Sequence, residues 1–304
     1  MMPLPNFIII GAAKCGTTAL YWQLRRHPQI FMSPVKEPRY FAFCRDSLPN
    51  GTGHLKNIPA NSVTDLEDYK QLFRCGPEKV ARGEASPFYL SDFQPEVTAA
   101  SIKKQVPDAR LIALLRQPAD RAYSAFLFLR QLGFEPLGDF QKALDAEPER
   151  VKAGYLHGHY RGNGFYYANL RPFFNLFPGK QIRVYLYEDW RESPADVLAD
   201  IFRFLGVEEA AISEAGQRVN VTAPPRNFRI QRLLVKPNRL KKAIRAALPE
   251  TWRRFLLTQA IRLNRAPRPQ LDPRLRRRLS EGYRDDILRL QELLGRDLSH
   301  WLRD

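Results

Sequence analysis

The 304-residue chain reads as an α/β fold of three layers. A central parallel sheet is flanked by helices, and a basic helical region follows toward the C-terminus. Three observations predict this. The runs Phe7-Ile-Ile-Ile10 and Arg110-Leu-Ile-Ala-Leu-Leu115 are continuous and apolar, the mark of strands buried on both faces. Helical segments separate them from each other and from a third strand at residues 181–187, the alternation that builds a parallel sheet. A glycine-bounded loop joins the first strand to the first helix.

The elements follow in order. Residues 6–10 form a strand bounded by Pro5 and Gly11. Residues 17–27 form a helix with Leu20, Tyr21 and Leu24 on one side, stopped at His27-Pro28 because the residue before proline disfavours the helical region. Residues 45–62 are loop-like, 65–73 helical, and 79–83 a short strand running into Glu84-Ala85-Ser86-Pro87. A helix at 95–105 precedes the strand at 110–115, and a second helix spans 119–131. The Gly-, His- and Tyr-rich stretch 151–164 reads as a loop. A helix at 167–177 is closed by Pro178-Gly179, and another at 194–205 has Gly206 as its C-cap. Right-handed crossovers place the loops after the strands on one edge of the sheet, so residues 11–18, 84–89 and 116–124 are expected to converge. No internal repeat is visible, and residues 1–304 are expected to form one domain.

Lys and Arg number 48 against 32 Asp and Glu, a net charge of +16, which suits phosphates, sulfates, nucleic acids or anionic membranes as partners. The excess is local. Between Arg226 and Arg278 stand 17 Lys or Arg and two acids, Glu250 and Asp272. The apolar share of 44% and aromatic share of 12% exclude a disordered chain. Cys15, Cys44 and Cys75 match neither a zinc site nor a disulfide framework, and are expected to be free thiols in a reducing cytoplasm. No signal peptide or membrane span is expected, since no apolar stretch approaches the required length. A soluble or membrane-peripheral protein is the expectation.

In Gly11-Ala-Ala-Lys14-Cys15-Gly16-Thr17-Thr18, successive backbone N–H groups and a helix N-terminus point at one anion. The nucleotide-hydrolase version needs Lys directly after the second glycine. Here Thr17 stands there and the lysine, Lys14, lies inside the loop. A nucleotide kinase would need that missing lysine and a metal-holding Asp at a strand end. A nucleic-acid-binding protein would explain the charge but leaves the loop unexplained, and no nucleic-acid fold signature is present.

The stretch from Phe7 to Tyr21 resembles the 5′-phosphosulfate loop of sulfotransferases that use 3′-phosphoadenosine 5′-phosphosulfate (PAPS), in particular the bacterial group related to the heparan sulfate sulfotransferases. Leu111-Ile-Ala-Leu-Leu-Arg116-Gln-Pro-Ala-Asp-Arg-Ala-Tyr-Ser124 resembles the family's 3′-phosphate motif. Arg116 offers a bidentate fork at a strand end, and Ser124 a hydroxyl from the next helix. Weaker likenesses run on through Gly164–Leu170, Val184–Asp189, Phe204–Gly206 and Leu275–Leu302. The resemblance implies a P-loop-like fold and transfer of a sulfuryl group from PAPS to a hydroxyl or amine of a small-molecule or glycan acceptor. It implies 3′-phosphoadenosine 5′-phosphate (PAP) as product and no metal. It implies Lys14, Cys15, Gly16, Thr17, Thr18, Arg116 and Ser124 as cofactor contacts, with Arg226 on a basic loop over the 3′-phosphate. Glu37, just before Tyr40-Phe41, matches the family's base, and Lys14 also serves the leaving group. One departure is Ala85, which occupies a place where the heparan sulfate enzymes often carry Lys. Lys36 is expected to point away from Glu37, and His54, His157 and His159 fit no matching motif.

Residues 229–265 mix Arg and Lys with Leu233, Leu234, Leu240, Ile244, Leu248, Trp252, Phe255, Leu256 and Ile261. Amphipathic helices broken at Pro237 and Pro249 are expected. Three roles stay open: a helix pair packed on the core, a face for an anionic acceptor, or an interfacial surface on an anionic membrane.

Overall fold

The computed structural model describes residues 3–44, 59–91, 93–210, 223–236 and 249–303. His54, most of the 45–62 loop, Asn220, Pro237, Leu240, Ile244 and Leu248 lie outside the described residues.

Five parallel strands form the described sheet, in the order β2-β3-β1-β4-β5. They are β1 (Phe7–Gly11), β2 (Ile30–Met32), β3 (Ala81–Ala85), β4 (Arg110–Leu115) and β5 (Ile182–Leu186). β1 lies at the centre, with Phe7 beside Gly83 on one side and beside Arg110 on the other. Phe7, Ile8, Ile9 and Ile10 have no exposed surface, and burying each such side chain contributes about 1.5–3 kcal/mol. This is why the run carries no polar alternation.

The first helices are α1 (Thr17–Leu24), α2 (Tyr40–Phe43), α3 (Leu66–Gln71), α4 (Pro95–Gln105) and α5 (Pro118–Gln131). α6 (Phe140–Asp145), α7 (Glu147–Lys152), α8 (Tyr166–Leu176), α9 (Tyr187–Glu192) and α10 (Pro194–Leu205) follow. Beyond them lie α11 (Phe228–Val235), α12 (Glu250–Leu263), α13 (Pro273–Gly282) and α14 (Arg284–Leu294).

Several boundaries differ from the sequence reading. The strand expected at 79–83 lies two residues later, drawing Glu84 and Ala85 into the sheet. β2 was not expected at all, because three residues of an edge strand carry too little pattern. α7 covers the first two residues of the stretch read as a loop from 151. α1 stops at Leu24, and His27 instead bonds the Glu208 carbonyl through Nε2 at 2.9 Å.

The strand order positions the site. The chain adds β3 and β2 on one side of β1, then β4 and β5 on the other. In open α/β sheets ligands bind outside the carboxyl ends of the strands where the order reverses. Here that point lies beyond β1 and β4, where the glycine loop and Arg116 stand. The C-terminal helices close over the same edge. Arg276 of α13 pairs with Asp120 of α5 at 3.2 Å, and Gln117 donates to Ser280 Oγ at 2.7 Å.

Candidate functional site

The loop after β1 is shaped by close approach. A Cβ on Gly11 would lie 2.3 Å from Leu90 Cβ, so only glycine fits there. Gly16 has φ 99°, and a Cβ there would also meet Trp190 at 3.3 Å; both constraints exclude larger residues. As N-cap of α1, Gly16 supplies no side-chain acceptor. The opening N–H groups of α1, those of Thr17 and Thr18 among them, have no intrahelical partner and no cap, the condition for holding an anion.

Lys14 takes a left-handed backbone conformation with φ 73°. Its ammonium lies 3.8 Å from the centre of the Phe128 ring on α5, a cation–π contact. Burial, then the charges of Arg116 and Arg268, push its pKa down to about 8; Glu37 acts in the opposite sense. One half-buried ammonium thus feels three of the cleft's charged groups. Cys15 packs its side chain inward. Its N–H donates to the Ala12 carbonyl at 3.2 Å, and its fully buried thiol sits 3.7 Å from the Tyr166 hydroxyl. Burial raises the thiol pKa to about 11, leaving it inert. Cys15 therefore shapes the loop from inside.

Arg116 leaves the end of β4 and stacks its guanidinium 4.8 Å above the Tyr187 ring. Its carbonyl accepts from Tyr166 at 2.9 Å, tying the Arg116 backbone to the residue that touches Cys15. Ser124 is buried on α5. Arg121, within the same motif, is also fully buried, and donates to the Tyr160 carbonyl, so it supports the fold. Arg226 is exposed and donates to the Arg265 carbonyl at 2.9 Å. The basic residue of this region whose charge reaches Lys14 is Arg268. Arg226 thus braces the strand of chain that carries Arg268.

Glu37 sits opposite. Its carboxylate is clamped by Lys36 at 2.5 Å and by Arg39. Burial alone would raise its pKa, but the two cations outweigh this and hold it below the usual carboxylate value. Lys36 was expected to point away, as neighbours on an extended segment do. Glu37 has φ 63°, which breaks the alternation and turns both side chains to the same side. The segment is held in that shape from below. Glu37 N–H donates to the Ala85 carbonyl at 3.0 Å, and Arg39 N–H to Ser86 Oγ at 3.0 Å. Ser86 in turn donates to Glu84 at 2.6 Å. Glu84 is fully buried at the end of β3, also accepts from Tyr89 at 2.7 Å and Tyr69 at 3.1 Å, and burial raises its pKa to about 7. Among the described residues, three of the four non-glycine positions with positive φ, Lys14, Glu37 and Arg39, belong to this cleft. Such strain gathers at functional sites because the surrounding structure holds it in place.

His157, set aside in the sequence, is brought near Arg39. Burial, then the charges of Arg39, His159 and Lys236, push its pKa down to about 4, so it is neutral at pH 7. It packs on Phe134 with ring centres 4.9 Å apart, and Lys236 lies 4.8 Å above that ring. His159 bonds the Tyr155 carbonyl at 2.6 Å, a loop-forming role.

With this geometry in place the comparisons can be read. The family profile described as a sulfotransferase domain matches residues 4–287. The chain belongs to the sulfotransferase family. A solved sulfotransferase from Alicyclobacillus acidocaldarius is 29% identical, with a TM-score of 0.73, covering 99% of this chain and all of that one. Mouse carbohydrate sulfotransferase 15 is 26% identical over 268 residues, 74% of this chain and 47% of its own length. Human bifunctional heparan sulfate N-deacetylase/N-sulfotransferase 3 is 30% identical over 217 residues, 67% of this chain and 22% of its own length. The chain therefore spans less than half the length of these curated relatives.

The cleft contains residues the sequence reading missed. Arg39 lies between Glu37 and Tyr40, but nothing in a linear sequence tells that the chain turns so that Arg39 folds back on Glu37. Arg268 was hidden among many other basic residues. Phe128 and Tyr187 carry no motif, and only packing reveals the rings beneath Lys14 and Arg116.

Proposed function

We propose that this sulfotransferase moves the sulfuryl group of PAPS to a hydroxyl of a carbohydrate-containing acceptor, with Glu37 as base. The observation that carries the reading is the convergence of Lys14, Arg116 and Arg268 at the uncapped start of α1, with Glu37 facing Lys14. A nucleotide with phosphate groups at both its 3′ and 5′ positions needs two separate cationic anchors. Lys14 and the α1 amides suit the 5′ end, and Arg116 with Ser124 suits the 3′-phosphate. In the transfer the acceptor oxygen forms a bond to sulfur as the bond to the bridging phosphate oxygen breaks. Glu37 takes the hydroxyl proton, and the charge appearing on the departing PAP meets Lys14. Glu37 is already ionised at neutral pH, as a base must be.

The acceptor side is supported by the patch beyond Glu37. Phe134 is 41% exposed and offers a ring face for sugar C–H groups, while Lys36, Arg39 and Lys236 favour an acceptor with carboxylate or sulfate. The names of the relatives, a carbohydrate sulfotransferase and a heparan sulfate enzyme, agree with that chemistry.

Calorimetry with PAP, AMP and ATP tests the donor. PAP is expected to bind at least about tenfold tighter than either, since a charged hydrogen-bonded contact is worth about 1.5–3 kcal/mol. Equal affinities for the three would defeat the reading. Turnover of labelled PAPS against a panel of acidic oligosaccharides tests the base. Glu37→Ala should keep PAP affinity and lose about 10²–10⁴ in rate, and undiminished turnover would remove Glu37 from that role.

A further inference from the structure

We propose that α11 and α12 form a docking surface for an anionic lipid bilayer. The observation is a large apolar face left to solvent on a helix pair. None of the fourteen residues of α12 is buried, and the buried residue at its end is the C-cap, Asn264. Trp252, Phe255, Leu256 and Leu263 fall on one face by their spacing, and that face points to solvent. They are 61%, 55%, 49% and 76% exposed. On α11, Ile230 and Leu233 are likewise 47% and 55% exposed.

The buried hydrogen bonds of the pair run through amides. Asn264 donates to the Asn227 carbonyl at 3.0 Å and to Gln231 at 3.1 Å, and Gln231 donates to the Gln131 carbonyl at 2.7 Å. Gln231 and Asn264 are both buried. Phe228, Leu234, Val235 and Ile261 are partly buried, so the pair rests on the core as one of the three readings expected, but its largest apolar side chains stay on the outer face. A cluster of exposed large apolar side chains marks a surface that is covered in use.

Charge decides what covers it. Arg229 and Arg232 of α11 and Arg253, Arg254 and Arg262 of α12 flank the apolar residues, and the one acid in either helix, Glu250, is paired with Arg254 at 3.5 Å. A two-fold contact between copies of the chain would bring these arginines against their own images with no acids to compensate. A nucleic acid or a free acidic glycan would engage the arginines but leave Trp252, Phe255 and Leu263 in water. A bilayer with anionic headgroups satisfies both: the apolar face enters the interface, and the arginines meet the headgroups.

The surface is joined to the catalytic cleft through α5. Arg130 stacks on Phe228 at 4.7 Å, only two residues along α5 from the Phe128 ring that carries Lys14. Lys236, directly after α11, lies over Phe134, which packs on His157. Docking would thus hold the acceptor side of the cleft beside the headgroup layer.

Co-sedimentation of the full chain with vesicles of phosphatidylcholine alone, and of phosphatidylcholine mixed with phosphatidylglycerol, tests this. Binding is expected only to the mixed vesicles and should weaken as salt rises. The double variant W252E/F255E should bind them at least about tenfold more weakly, since two interfacial aromatic anchors are lost. R229Q/R232Q should lose binding less and should reduce its salt dependence. PAP affinity and the unfolding midpoint serve as folding controls and should match the wild type in all variants, because the altered side chains are exposed. Equal binding to both vesicle types, equal binding by W252E/F255E with intact controls, or a wild-type dimer that this variant dissociates would each overturn the proposal.

Discussion

Replacing Lys14 by methionine separates what the phosphate loop gives to stability from what it gives to binding. The chain length is nearly preserved and the charge is lost. In the free protein the Lys14 pKa lies at about 8 against an ordinary 10.5, chiefly through burial and then through Arg116 and Arg268. At pH 7 holding the ammonium in the folded state therefore costs about 3 kcal/mol. Partial access to water and the Phe128 ring return about 1–2 kcal/mol of this. Lys14→Met should then be more stable than the wild type by about 1–2 kcal/mol at pH 7, while binding PAP more weakly. Because the folded pKa lies below the unfolded one, the unfolded chain holds more protons between pH 8 and 10.5. Wild-type stability accordingly rises with pH across that window relative to the variant. By pH 9.5 the charging cost falls to about 1.5 kcal/mol, and the advantage of Lys14→Met should shrink or vanish. Urea unfolding of both proteins at pH 7 and pH 9.5 measures the difference. A variant less stable than the wild type at pH 7, or a gap that does not close with pH, would refute the reasoning. Such a stability gain at the expense of function is common where a site gathers like charges.

Two further outcomes follow from the same cleft. Arg116→Ala and Arg268→Ala should each weaken PAP binding by about 10–100-fold, with Arg116→Ala sparing AMP, as expected for loss of a charged contact to the 3′-phosphate; calorimetry would show an error if AMP weakened equally. Each also removes a cation that lowers the Lys14 pKa, so each should reduce the proton uptake on PAP binding at pH 8–9. Gly16→Ala should cost about 1–3 kcal/mol, since φ 99° is strained for any side chain and the Cβ meets Trp190 at 3.3 Å; an unchanged urea midpoint would contradict the loop geometry.

Much of the sheet was legible because β1 and β4 are buried on both faces, and burial of that kind leaves an unbroken apolar run. The helices at 95–105 and 194–205 were legible to the residue, since proline opens both of them. β2 and the shift of β3 were not, because an edge strand three residues long has no period to detect and the sheet register depends on partners far away in sequence. The loop Gly11–Thr18 was readable for a chemical reason: glycines at close approach and an uncapped helix start are local requirements.

What lay beyond the sequence is what depends on which distant groups meet. That the Cys15 thiol faces the core, that Lys36 turns toward Glu37, and that Arg268 acts on Lys14 are decided by chain reversals and packing, which no local spacing encodes. The same holds for the basic C-terminal region. Its composition left three roles open; only the fold shows Gln231 and Asn264 turned inward, and Trp252, Phe255 and Leu263 turned to solvent. Short-range physical rules made the buried strands β1 and β4 and the glycine loop legible in the sequence, and the resemblance of its motifs to the sulfotransferases carried the class of chemistry. The tertiary structure decided which charges share the cleft and which face is left uncovered, because electrostatic coupling and burial are set by distance in space.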